Sequence, residues 1–481
     1  MSMLRPRTRD EAPAVPEEPA AEAPAPEPRR RSSRRARWLD RLGLYEVSEE
    51  TIFTSTRQAQ AVNPALVATH APLAGPITGV DVDTGNAVSN GPHELYAQRR
   101  ITSPNVVVLG DVGSAKSSLV KTVYVARAVA CGKQVAVFDR KNQEGRGEYA
   151  DVARVCDGTT IAFSRTKGSA INLLDPRIST SSRDGDTDAR IGQDRLLLMA
   201  AEYAHGRLSS HEHHALRSAH RTALARAGAD GRNATIHDVV DALYAPEADA
   251  VPRAHLAESE VVTPRDVVDW GMALAMDLER FVDGDLSGLI DADTSDSVDW
   301  SAPLLVFDTS ELDEDSPALS LVMALVATFL SSVWAARPGQ RIIVLEEGYH
   351  TARLTGPGTT SVAGILRSLV KRGRGIGLAF VTVIHHVSDL PPDSDAMSLV
   401  REAQVVHVYR QSRSDDARTV VSLFGLPSWS EDLLPAVEPG VHVLKVGKEP
   451  ARLVRHIRTR IEEGFTDTDA AMTGARRGTA S

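Results

Sequence analysis

The stretch Val106-Val-Val-Leu-Gly-Asp-Val-Gly-Ser-Ala-Lys-Ser-Ser-Leu-Val120 decides how the chain is read. It gives an apolar strand, a tight loop and the start of a helix, in that order. Backbone N–H groups of a loop that opens a helix converge on an anion. Gly110 and Gly113 permit the backbone angles and the close approach that a polyphosphate requires. The candidate nucleotide-binding residues are therefore Gly110, Asp111, Val112, Gly113, Ser114, Ala115, Lys116, Ser117 and Ser118. Lys116 is expected to reach the β- and γ-phosphates, the Ser117 hydroxyl to ligate Mg²⁺, and Ser118 to lie near the α-phosphate. Against the pattern G-x-x-x-x-G-K-[ST], Ala115 stands where glycine is usual, a modest steric change.

A nucleotide loop of this kind needs a second strand that ends in a carboxylate, to hold the metal and polarise the attacking water. Ile342-Ile-Val-Leu-Glu-Glu347 supplies one. In this reading Glu346 faces the metal and Glu347 the water, at the carboxyl edge of a parallel sheet. The other reading is a pair of exposed acids that close a strand. Lys371-Arg-Gly-Arg374 precedes a further apolar strand, Leu378 to Ile384, which ends in His385-His386. Arg372, or Arg374 if the register differs, is placed to stabilise charge on a neighbouring subunit's γ-phosphate; either also reads as a surface charge before a turn. His385 sits where a γ-phosphate sensor would sit, or it simply ends an exposed strand.

Working outward, Val106–Leu109, Gln134–Phe138, Leu304–Phe307, Ile342–Leu345, Leu378–Ile384 and Val405–Tyr409 alternate with helical stretches, the pattern of a parallel α/β sheet. From about Ala189 the texture changes to Ala, Leu, Arg and His at helical spacing, which predicts an all-α insertion. Thr235 is expected to cap a short helix there, and His211, His213 and His214 to mark an exposed helix start. Ala318 to Ala336 carries no charge over 19 residues and imitates a membrane span, but it lies between two strand-like runs and is expected to be a buried crossover helix. The alternation around Gly440 to Ile457 predicts a terminal β-hairpin.

The expected organisation is a Pro/Ala/Glu-rich disordered tail over 1–38, an N-terminal segment over 39–98, and a core in two parts, 99–188 and 295–465. The helical insertion falls at 189–294 and a second loose tail at 466–481. Arg29 to Arg37 places six arginines in nine residues, fit for acidic lipid or nucleic acid, or for a solvated arm. Apolar residues at 42% are enough for a real core, while a net charge of −10 removes the global basic field of a protein that coats nucleic acid. Two cysteines, Cys131 and Cys156, exclude a disulfide scaffold. No apolar run follows the first residues, so no secretory signal is expected.

From about Arg99 to Arg460 the sequence resembles the ATPases of conjugative transfer and type IV secretion, a branch of the HerA/FtsK motor superfamily. The resemblance rests on the phosphate loop, on Phe138-Asp-Arg-Lys141 followed by Gly147-Glu-Tyr149, and on Ala170-Ile-Asn-Leu-Leu-Asp-Pro176. Phe281-Val-Asp-Gly-Asp-Leu-Ser-Gly-Leu-Ile290, Val306-Phe-Asp-Thr-Ser-Glu-Leu312 and Gly425-Leu-Pro427 follow in the family's order. The family pattern has Asp at Glu346, Gln at His385 and Gly at Ala115. The resemblance implies a RecA-like P-loop NTPase core, ATP and Mg²⁺ as cofactors, and an ATP-hydrolysing motor in a homo-oligomeric, hexameric ring. Its implied partners are secretion or conjugation channel proteins at the membrane, with DNA as a further candidate. The implied location is cytoplasmic, or peripheral at the inner face of the membrane. The alternatives are a DNA-pumping translocase of the same superfamily and a nucleotide-binding scaffold without turnover.

Overall fold

The apolar runs become strands of one sheet because both faces of that sheet are covered, so the apolar side chains along them are withdrawn from water. The computed structural model describes residues 73–143, 146–163, 169–179, 191–247, 262–284, 286–295, 298–312, 317–335, 339–346, 373–392 and 394–466. The arginine run, residues 1–38, Glu347, Arg372 and the tail from 467 fall outside them. In chain order the strands are β1 (Ile77–Asp81), β2 (Ala87–Ser89), β3 (Val106–Leu109), β4 (Gln134–Asp139), β5 (Asn142–Gln143), β6 (Arg146–Gly147) and β7 (Thr159–Ala162). β8 (Leu304–Asp308), β9 (Arg341–Leu345), β10 (Leu378–Ile384), β11 (Val405–Val408), β12 (Val441–Val446) and β13 (Arg452–His456) follow.

Eleven of these strands form one sheet in the order β2-β1-β13-β12-β11-β3-β10-β9-β4-β8-β7, and β5 and β6 form a separate short ribbon. From β11 to β7 every neighbouring pair is parallel. From β11 outward to β2 every pair is antiparallel. The core is thus α/β with a mainly parallel sheet, and β12 and β13 are the expected terminal hairpin. The sheet also takes in β1 and β2, from the stretch expected to precede the core. Their partner β13 lies at the far end of the chain, and no local pattern announces such a pairing.

Two central strands, β3 and β9, are buried along their whole length, and so is β10. On one face they pack against a helix α1 (Pro92–Ala97) and a long helix α2 that begins at Lys116. α2 is α-helical over Lys116–Leu119, π-helical over Val120–Ala126 and α-helical again over Arg127–Ala130. The other face carries the insertion, helices α3 (Ile191–His205), α4 (Ser210–Ala229), α5 (Ile236–Tyr244) and α6 (Pro264–Asp283), together with α7 (Pro317–Ala335).

Capping chemistry sets the insertion's helix starts. Glu212, Asp238 and Asp266 each accept from the backbone N–H of Ser209, Thr235 and Thr263 respectively, so the predicted cap at Thr235 is present. His211 lies in the first turn of α4 and stacks on Trp270 with ring centroids 4.5 Å apart. α7 is the charge-free stretch. It leaves β8 and returns to β9 across β4, and Leu319, Leu325, Phe329 and Leu330 are fully buried in the same cluster as Leu305, Phe307, Ile343 and Leu345. Among the described residues no helix is long and apolar enough to cross a membrane.

Candidate functional site

Parallel register brings the ends of β9, β10, β3 and β11 to one edge of the sheet. Leu345 is level with Thr382, Ile384 with Leu109, and Val408 with Leu109 on the other side. The residues that follow these strands therefore stand side by side: Glu346, His385, the loop from Gly110, and Tyr409 to Ser412. The loop is clamped between its neighbours, with Gly110 N–H donating to His385 O at 3.3 Å and Asp111 N–H to Arg410 O at 2.9 Å. Gly110 is required by that closeness, since a Cβ there would lie 2.6 Å from Tyr409 Cβ.

Ala115 departs from the loop pattern in conformation more than in space. It adopts φ 76° and ψ 25°, the left-handed region. An alanine there costs about 1–2 kcal/mol, which a glycine would avoid. Sequence alone shows this departure as a modest steric change; the left-handed backbone angle is what sets its cost.

Lys116 is 6% exposed and lies back over the loop. Its Nζ donates to Gly110 O at 2.6 Å and Asp111 O at 2.8 Å and stands 3.3 Å from His385 Nδ1. Ser114 Oγ donates to Asp111 O at 2.7 Å, and Gly440 N–H, at the start of the hairpin, donates to Ser114 O at 3.2 Å. Val112 is 77% exposed on the crest of the loop. Ser117 is half-buried, while the buried Ser118 Oγ has no partner among the described residues. On the far flank, Ser412 N–H donates to Asp111 Oδ2 at 2.9 Å, and Arg410 Nε lies 3.5 Å from the same carboxylate.

A second group of acids closes the other side of the site. Glu346 is 2% exposed, and burial pushes its carboxyl above the usual carboxylate range. The Tyr149 hydroxyl donates to Glu346 Oε1, and Glu346 Oε2 has no partner among the described residues. Asp139 ends β4, fully buried and likewise pushed up by burial, and accepts from Tyr149 N–H at 2.8 Å. Glu148 Oε1 pairs with Lys121 Nζ at 2.9 Å, both side chains nearly sealed from water.

Of the expected site residues, the structure brings the whole loop, His385 and Glu346 together. Arg374 lies in the short 3₁₀ turn Arg374–Ile376, at the edge where β10 begins and away from the β10 end that carries His385; Glu347 and Arg372 are outside the described residues. Sequence alone assigns no role to Tyr149, Glu148 or Lys121, although Gly147-Glu-Tyr149 stands out as a motif. A hard divalent cation fits this corner. A buried carboxylate oxygen on Glu346 without a partner among the described residues and the hydroxyl of half-buried Ser117 are oxygen donors of the kind Mg²⁺ prefers.

A strand, an anion loop and a helix at the carboxyl edge of a parallel sheet, beside a carboxylate two strands away, settle the architecture. The chain's fold is that of a RecA-like α/β core. Its fold is similar to that of VirB4 of Thermoanaerobacter pseudethanolicus, with TM-score 0.64 and 18% identity, over 82% of this chain and 100% of that one. Plasmid coupling protein TrwB in complex with ADP and Mg²⁺ is also matched, with TM-score 0.49 and 12% identity, over 82% of this chain and 92% of that one. No family model matches the sequence, and no curated protein matches it.

Proposed function

We propose that the chain is an ATP-hydrolysing, ring-forming motor of a conjugative-transfer or type IV-like secretion apparatus. The observation that supports this most is the convergence of Lys116, His385 and Glu346 at the edge of three neighbouring parallel strands. On ATP binding, Lys116 Nζ would exchange the Gly110 and Asp111 carbonyls for β- and γ-phosphate oxygens, and the loop N–H groups would cradle the remaining charge. Ser117 and Glu346 would hold Mg²⁺, which supplies neutralisation of the charge that builds on the phosphates. Glu347 would orient and polarise the attacking water. His385, beside Lys116, would register the γ-phosphate, and Arg372, or Arg374 in its place, would complete the site from the adjacent subunit. The ring would engage channel proteins at the membrane's inner face, with DNA as a candidate cargo.

The resemblance of the ordered motifs to secretion and conjugation ATPases supports the motor reading over a static nucleotide-binding scaffold. Lys116→Ala removes the side-chain cation proposed to meet the β/γ-phosphates, so the purified variant should lose tight ATP binding while keeping its far-UV circular dichroism. Unchanged ATP affinity in a folded Lys116→Ala protein would refute the site.

A further inference from the structure

Gly147, Glu148 and Tyr149 are held at more points than a connecting turn needs. The ribbon of β5 and β6 pairs Asn142 with Gly147 and delivers the tripeptide to the carboxyl ends of β4 and β8. There Gly147 N–H donates to Asp308 Oδ2 at 2.9 Å and Tyr149 N–H to Asp139 Oδ2 at 2.8 Å. Only glycine permits this approach, because a Cβ on residue 147 would lie 2.5 Å from Asp139 Oδ2 and 2.9 Å from the Asp308 carboxyl. Glu148 reaches Lys121, on the π-helical segment that follows the phosphate loop, and Lys121 Nζ stands 5.3 Å from the centre of the Tyr149 ring. The ring itself is fully buried, and its hydroxyl ends on Glu346 Oε1.

We infer that Tyr149 is a positioning residue for Glu346. Its hydroxyl engages one carboxylate oxygen and thereby fixes the rotation of the side chain, so that Oε2, the oxygen without a partner among the described residues, is the one presented to Mg²⁺ or to its coordinated water. The tripeptide's backbone bonds to Asp139 and Asp308 anchor the tyrosine, and the Lys121–Glu148 pair ties that anchor to the helix carrying Lys116 and Ser117. A shift of the phosphate-loop helix would then be felt at the carboxylate through a short, buried path. The inference rests on the proposed role of Glu346 toward the metal.

The test is a Mg²⁺ titration of fluorescent ATP-analogue binding to the full chain, in wild type, Tyr149→Phe, Glu346→Gln and the double variant. Tyr149→Phe keeps the ring, its packing on Lys121 and both backbone bonds, so its thermal melting should stay close to wild type. The expected result is a rise of about 10- to 100-fold in the Mg²⁺ concentration that half-saturates binding, with affinity in EDTA unchanged. Glu346→Gln should show a comparable or larger rise, and the double variant should be no worse than Glu346→Gln alone, because the two residues act through one carboxylate. If Glu346→Gln shifts the Mg²⁺ requirement and Tyr149→Phe does not, or if the two shifts add, Tyr149 is only packing and the inference fails while the metal reading stands. If neither variant shifts it, the metal role of Glu346 falls and this inference falls with it. A loss of binding in EDTA for Tyr149→Phe would also overturn it, by showing damage to the loop itself.

Discussion

Replacing His442 by leucine should flatten the acid limb of the stability curve by the equivalent of one proton. His442 lies on β12 at 0% exposure, with ring centroids 4.8 Å from both His407 and Tyr409, and neither of its ring nitrogens has a partner among the described residues. Burial holds its pKa well below the ordinary imidazole value and pushes those of His407 and His456 down to about 3. A folded pKa below the unfolded one means that the unfolded chain takes up a proton, as pH falls through about 6.5, that the folded chain refuses. Stability is therefore unaffected by this group above that pH and is lost as pH falls below it. One such histidine costs about 1.2 kcal/mol between pH 6 and 5, and about 1.4 kcal/mol for each further unit. Leucine does not titrate and forfeits no hydrogen bond, so at pH 8 the variant should be as stable as wild type or more so. Urea unfolding at constant ionic strength between pH 5 and 8 measures the difference. Parallel curves for wild type and His442→Leu would show that His442 is protonated or solvated in the folded state, and the sealed-cluster argument would fail.

Ala115→Gly should raise stability by roughly 0.5–1 kcal/mol, because relief of the left-handed alanine outweighs glycine's greater freedom in the unfolded chain; a destabilised variant would contradict the φ of 76°. His205 bridges Asp277 at 2.7 Å and Glu212 at 2.8 Å, and these acids hold its pKa above the ordinary value despite an opposing desolvation effect. Its contribution is fully present below about pH 6.5 and is lost as pH rises through the folded value. His205→Gln should thus be more damaging at pH 5.5 than at 8.5, by less than about 1 kcal/mol at this partly exposed site, and equal effects at both pH values would remove the bridge from the stability balance. If a neighbour completes the site, Arg372→Ala subunits should bind ATP nearly normally with little turnover, and mixing them with Lys116→Ala subunits should restore some hydrolysis. Activity strictly linear in dilute protein and no rescue on mixing would show that each subunit works alone.

What the sequence made legible was local. The strand, loop and helix of the candidate phosphate site lie within fifteen consecutive residues, and four apolar residues before Glu346 identify a strand buried on both faces without reference to any partner. The charge-free stretch from Ala318 was readable for the same reason, once the strand-like runs on either side were weighed with it. What stayed hidden depends on pairs far apart in the chain. β1 is defined by β13, and the buried His407 and His442, with half-buried His456, read in sequence as ordinary alternation along three strands. Ala115 lay between these cases, because a departure from a pattern is visible in sequence while the backbone angle that gives it meaning is not.

The side chains of α2 show why the hidden part bears on the site. Lys121 points from this helix to Glu148, whereas Thr122 and Tyr124 reach His456 and His407 at 2.8 and 2.7 Å. A helix that only covered a sheet would bury apolar residues at all these places. Charged and polar groups there are costly to desolvate, and apolar residues of similar size are often neutral or better for stability. The π-helical stretch Val120–Ala126 coincides with this polar set, and such segments gather where a helix serves a site. Stability alone is thus a weak account of the Lys121–Glu148 pair. Its position between the helix that begins at Lys116 and the tyrosine on Glu346 gives it a mechanical one, because the cation that would meet the phosphates and the carboxylate that would meet the metal are then held in one rigid frame.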